Sequence, residues 1–201
     1  PVPFDPIQAK KILAEEGWTD SDRDGILDKD GKPFKFNLSY YVMNSTTKSI
    51  VEYIQTALKE VGIEVNLNGL DLADISKQFD DKQFDSYVLA WALGSPPEDP
   101  RQLWHSSQAD LKGSSNTIGF KNKEADQIID ELEIETDPAK RIELYHRFDR
   151  LLNDEQPYTF LYTPKEILLY RDFMKNVFIP KDEIAGAQVG EPDLTVSWIE
   201  K

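Results

Sequence analysis

FKFNLSYYVMNSTTKSIVEYIQTALKEVGIEVNLNGL, residues 34–70, changes its hydrophobic period twice. Phe34, Phe36, Leu38, Tyr40 and Val42 alternate with Lys35, Asn37, Ser39 and Tyr41, which predicts a strand with one buried and one more polar face. Asn44 or Ser45 then supplies a helix cap, and Ile50, Ile54, Ala57, Leu58 and Val61 recur at helical spacing until Gly62 stops them. Alternation returns with Ile63, Val65 and Leu67. A strand, a helix and a strand in this order predict a parallel pair joined by a right-handed crossover, and so an α/β chain.

Working toward the C-terminus, Asp71 caps a further helix through Ile75 and Phe79, which leads into FDSYVLAWALGSPPEDPRQLWHSS, residues 84–107. The run Tyr87, Val88, Leu89, Ala90, Trp91, Ala92, Leu93 reads as a third strand buried on both faces, broken at Gly94-Ser95-Pro96-Pro97. Three successive parallel strands send their carboxyl ends to one edge, and open α/β sheets bind ligands there. That edge nominates Tyr41, Asn44, Trp91, Ala92, Leu93, Gly94 and Ser95 as ligand contacts. Asp99 with Pro100 opens a short helical turn that delivers Trp104 and His105, and the turn-rich loop 108–121, with Asn116, is placed to fold over the same edge.

Working toward the N-terminus, Asp5-Pro6-Ile7-Gln8 predicts a capped helix ending near Gly17, with Ile7, Ala9, Ile12 and Leu13 inward. Next comes TDSDRDGILDKDG, residues 19–31, whose alternate carboxylates at Asp20, Asp22, Asp24 and Asp28 match the opening of a calcium loop. The twelfth position is Gly31 where a bidentate Glu is required, and strand-like sequence comes after it, so a structural calcium and a plain Asx-bonded turn both fit. Calcium is the one cofactor the residues suggest. Beyond the loop, Asn122 starts a helix bearing Ala125, Ile128, Ile129 and Leu132, and Asp137-Pro138 starts another bearing Ile142, Tyr145, Phe148, Leu151 and Leu152. Extended stretches are expected at 158–162 and 167–170, and a last strand at 195–199.

A chain of 201 residues with 39% hydrophobic content builds a real core. Its net charge of −14 excludes phosphate-reading partners such as nucleic acid, which need clustered Lys and Arg. No cysteine is present for disulfides or thiolate chemistry. Hydrolase and nucleotide motifs are lacking, and the histidines are His105 and His146 alone, so the residues point to binding rather than catalysis. A signal peptide is not found in the first residues, and the abrupt start at Pro1 suggests a piece of a longer chain.

Six segments, AKKILAEEGW (9–18), DGKPFKFNL (30–38), IQTALKEVGIEV (54–65), LAWALGSPPEDPRQLW (89–104), NTIGFKNKEADQIID (116–130) and DPAKRIELYHRFDRLLNDEQPYTFLY (137–162), together resemble the second lobe of the family 5 extracellular solute-binding proteins. The resemblance implies a periplasmic-binding-protein type II-like fold, here a single α/β lobe over residues 1–201 with a mixed sheet flanked by helices. It also implies an oligopeptide or another small solute as ligand, ABC transporter permease subunits as membrane partners, a monomeric state, and an extracytoplasmic location, periplasmic or lipoprotein-anchored. Several peptide binders of the family carry an aspartate three residues past the tryptophan equivalent to Trp91, pairing with the peptide's amino terminus. Gly94 stands at that position, which leaves an oligosaccharide as the alternative solute; a calcium-dependent interaction module or a hydrolase is the remoter one.

Overall fold

The computed structural model describes residues 3–91, 99–163, 169, 174–175 and 198–199. The chain divides into two compact units, one comprising Pro1–Ala90 with Leu103–Lys121 and the other Trp91–Gln102 with Asn122–Lys201.

The first unit is built on the stretch that decided the fold. Strand β3 (Lys35–Tyr41), helix α2 (Ser45–Glu60) and strand β4 (Glu64–Leu70) form the expected unit, and β3 pairs in parallel with β4 from Lys35↔Glu64 to Tyr41↔Leu70. Lys35 Nζ lies 2.8 Å from the Glu64 carboxylate, so the first matched pair is also an ion pair. Helix α3 (Leu72–Asp81) returns the chain to β5 (Ser86–Val88), which pairs in parallel with the other side of β3 and gives the order β4-β3-β5. The two helices begin where their caps predict: Asn44 accepts from Thr47 N at 3.0 Å and Asp71 from Asp74 N at 2.9 Å.

Matched residues of parallel strands point to the same face, so Leu38 and Tyr40 share one side with Val65 and Leu67. There they meet Val51, Val61 and Ile63 in the core. Gly62, at φ +84°, ends α2 in a left-handed turn pressed against Leu27, and a methyl there would meet Leu27 Cγ at 2.7 Å. Helix α1 (Pro6–Glu15), capped by Asp5, adds Ala9 and Leu13 to this core. Ile7 and Ile12, expected inward as well, are exposed; one turn of contact holds the helix and its other apolar residues face solvent. Between α1 and β3, β1 (Asp28–Lys29) and β2 (Lys32–Pro33) form a short antiparallel hairpin, and Trp18 stacks on Phe34 with ring centroids 4.3 Å apart.

The third strand differs from expectation. It stops at Val88, and Leu89 is 47% exposed, so the apolar run 87–93 is not a strand buried on both faces over its described part. Once β5 has made its three ladder pairs with β3, no described strand lies beyond it to bury Leu89.

In the second unit, α5 (Lys123–Ile134) and α6 (Pro138–Glu155) pack through Ala125, Ile128, Ile129 and Leu132 against Leu144, Phe148 and Leu152. Asn122 and Asp137 cap them. Arg141 donates to the carbonyls of Leu132 and Glu135, satisfying the end of α5, and Arg101 pairs with Asp130 and Glu133. The last expected strand survives as β7 (Trp198–Ile199), antiparallel to β6 (Met174–Lys175), whereas most of the stretch at 167–170 lies outside the described residues.

Candidate functional site

The carboxyl edge of the first unit's sheet is formed by the ends of three adjacent strands. Tyr41, half-buried, ends β3 opposite Leu70 of β4; Val42 N donates to Leu70 O at 3.0 Å, and Val88 ends β5 beside Tyr40. The polar groups that succeed the first two strands are spent inward, since the Asn44 and Asp71 side chains cap α2 and α3. Val42, Met43, Leu72 and Leu89 are the large apolar residues exposed at this edge. The resulting rim joins these apolar side chains to the half-buried Tyr41 and to the exposed Asn44 and Asp71, whose side chains serve as helix caps.

The remaining nominated residues fall in different settings. Trp91, the first residue of the second unit, is 38% exposed. Ala92, Leu93, Gly94 and Ser95 lie outside the described residues. Trp104 is only 6% exposed, its ring edge-to-face with Phe120 at 5.7 Å, so the interior takes up the indole. His105 turns back on its own chain: Nδ1 accepts from Ser107 N at 3.0 Å and lies 2.8 Å from Ser107 Oγ, capping a 3₁₀ turn at Ser106–Gln108.

Asn116 has no exposed surface at all, and its side chain organises the loop around it. Nδ2 donates to Phe120 O at 2.9 Å and to His105 O at 3.3 Å, and Oδ1 accepts from Phe120 N at 2.8 Å. Lys82 Nζ bonds the carbonyls of Ala109 and Asn116, tying the end of α3 to this loop. Every polar atom of the Asn116 amide is therefore occupied by backbone, which leaves it nothing to offer a ligand.

In the Asp-rich loop, Asp20, Asp22 and Asp24 bring ligand oxygens within 4.8 Å of one another, all exposed. Each also accepts a backbone N–H within the loop: Gly25 to Asp20, Asp24 to Asp22, Ile26 to Asp24. Asp28 does not join them. Its carboxylate is held by Ser21, from N at 2.9 Å and from Oγ at 2.8 Å, because the turn brings residue 28 back against the loop's start, where Thr19 and Asp28 form a bridge.

One feature was not anticipated from sequence. Asn37, Ser39, Leu67, Asn68, Gln78, Gln83, Phe84 and Asp85 line a depression on the sheet's more polar side. The signal was present in the period-two pattern: Asn37 and Ser39 fall opposite Asn66 and Asn68, so two strands turn amides and a hydroxyl to the same face.

Comparison with known proteins places this geometry. Residues 1–112 match the bacterial extracellular solute-binding proteins, family 5 Middle. The oligopeptide-binding protein AppA of Bacillus subtilis (strain 168) is 36% identical over 159 residues, covering 78% of this chain and 29% of AppA. The nickel-binding periplasmic protein of Escherichia coli (strain K12) is 29% identical over 79% of the chain and 30% of its own length. Among solved structures, AppA in complex with a nonapeptide superposes with a TM-score of 0.79 at 30% identity, covering 100% of this chain and 39% of that one. A periplasmic oligopeptide-binding protein from Thermotoga maritima with bound mannohexaose gives 0.70 at 25% identity, over 77% of this chain and 30% of that one. The chain thus spans about a third of the length of these relatives.

Proposed function

Because this chain belongs to the bacterial extracellular solute-binding proteins of family 5, we propose that it supplies part of a receptor that captures an oligopeptide or related small solute and passes it to the permease of an ABC importer. Its α/β fold is the one shared with periplasmic binding proteins. The observation that carries the reading is the carboxyl edge of β4-β3-β5, where three strand ends stand side by side under exposed Val42, Met43, Leu72 and Leu89 while the neighbouring polar side chains are consumed as helix caps. A surface of this kind accepts an extended peptide, whose backbone bonds to strand-end groups and whose side chains meet apolar surface. The receptor acts outside the cytoplasm as a monomer, in the periplasm or on a lipid anchor, and it binds without chemical turnover.

An oligosaccharide is the second reading. It is favoured by the exposed face of Trp91, by Gly94 at the place where several peptide binders carry aspartate, and by the mannohexaose bound to the Thermotoga maritima protein. Calorimetric titration of the intact protein with a nonapeptide and with mannohexaose, together with mass spectrometry of the solute that copurifies, separates the two. Peptide retention is the expected result. Release of cleaved product from either solute, or failure to retain any solute, would refute a capture role.

A further inference from the structure

The depression on the polar side of the first unit's sheet has a volume of about 590 Å³, within the range of small-molecule sites. We propose that it is a second ligand site, separate from the carboxyl edge, for a small neutral polyhydroxylated compound. It runs along the polar face from Asn37 to Ser39 of β3 and Asn68 of β4, with Gln83, Phe84 and Asp85 just before β5.

The lining carries hydrogen-bonding capacity that the described residues do not use. Ser39, 3% exposed, forms the buried floor. Asn68 Nδ2 donates to Ser39 Oγ at 3.1 Å, and Ser39 Oγ donates to Gln78 Oε1 at 3.3 Å, so among the described residues the Asn68 side-chain carbonyl oxygen and the Gln78 amide nitrogen are left to bond a guest. The Gln83 amide makes no side-chain hydrogen bond among the described residues. Asp85 Oδ2 accepts from both Asn37 N and Asn37 Nδ2, which fixes the carboxylate and leaves Oδ1 open.

Charge narrows the guest. Among the described residues no Lys or Arg lines the depression, so an anion would find no compensating charge there. One carboxylate already engaged by two N–H groups falls well short of the six or more oxygens a calcium ion requires. Interspersed donors and acceptors suit hydroxyl groups, each of which donates and accepts, and Leu67 and Phe84 add apolar residues to the lining.

The test is a calorimetric titration of the intact protein with maltose, repeated on Gln78→Ala, Gln83→Ala and Trp91→Ala. Millimolar binding is expected in the unsubstituted protein, weakened about 3- to 10-fold by either glutamine substitution through loss of one hydrogen bond, and unchanged by Trp91→Ala. Gln83→Ala removes no internal bond, so it keeps the test readable if Gln78→Ala loosens the fold. Absence of maltose binding would overturn the proposal. So would an affinity that falls with Trp91→Ala but not with the glutamine substitutions, because the sugar would then sit where the captured solute does.

Discussion

Replacing Asn116 by Ala should destabilise the protein without touching solute affinity. The side chain is wholly buried and makes three hydrogen bonds to backbone, two through Nδ2 and one through Oδ1. At about 1 kcal/mol net for each, their removal costs about 3 kcal/mol before any penalty for the Phe120 N–H and carbonyl left without partners. For a domain of this size that lowers the melting temperature by about 6 to 12 °C. Thermal unfolding followed by circular dichroism measures the shift, and calorimetric titration with the nonapeptide, well below the transition, measures affinity. Asn116→Asp sharpens the test because volume is conserved: an oxygen replaces the donor and faces the carbonyls of His105 and Phe120, while Lys82 Nζ is engaged by the Asn116 main-chain carbonyl at 3.3 Å. Burial and those carbonyls favour the protonated acid, raising its folded pKa above the unfolded value near 4, so the variant's stability falls as pH rises through that interval and is best in acid. An unshifted melting temperature in Asn116→Ala combined with a tenfold loss of affinity would refute the reasoning, since the amide would then be bonding solute rather than backbone.

Trp91 and Trp104 should separate cleanly. Trp104→Ala removes a buried indole and its edge-to-face contact with Phe120, costing about 3 to 5 kcal/mol of stability in the same melting assay. Trp91→Ala, at a partly exposed position, should cost less stability and weaken solute binding by about 1 to 3 kcal/mol; equal melting losses with unchanged affinity would remove Trp91 from the site. The buried Tyr87 hydroxyl has no hydrogen-bond partner among the described residues, so Tyr87→Phe should leave stability at neutral pH unchanged or slightly improved. Burial raises the Tyr87 pKa above its ordinary 10.0, so its contribution is complete below pH 10 and is lost as pH climbs beyond; alkaline unfolding should set in later in the phenylalanine variant, and coincident curves would count against this. Millimolar calcium is expected to raise the melting temperature relative to chelator by bridging Asp20, Asp22 and Asp24, and no shift would remove the cation from the account.

What could be read from the residues was chiefly what local chemistry decides. Asp5, Asn44, Asp71, Asn122 and Asp137 all cap the helices that their sequence neighbours announce, because a cap needs only a short side chain and the next two or three N–H groups. The parallel pairing of β3 with β4 comes from two alternating runs around a helical one. Burial was harder to read, since it depends on what lies alongside. Leu89 and Ile12 are apolar in patterns that suggest a core, yet each is exposed for want of a described neighbour. Asn116 is the converse, a polar residue in a turn-rich loop whose interior role rests on backbone carbonyls that every sequence possesses and none advertises. Asp28 stands apart from the other three carboxylates for a related reason: Ser21, seven positions earlier, holds it through two hydrogen bonds.

The division of the chain into interleaved units has a consequence for synthesis and for cutting. Residues Pro1–Ala90 form most of the first unit, but Leu103–Lys121, which contribute Trp104 and the Asn116 loop, leave the ribosome only after the segment Trp91–Gln102 that belongs to the second. The sheet can assemble early, while its final clasp, Lys82 reaching the carbonyls of Ala109 and Asn116, waits for some thirty more residues to emerge, a few seconds of elongation. A protease that nicks once near residue 91 therefore frees neither unit whole, and a truncation placed there to isolate the sheet would leave it without its fastener.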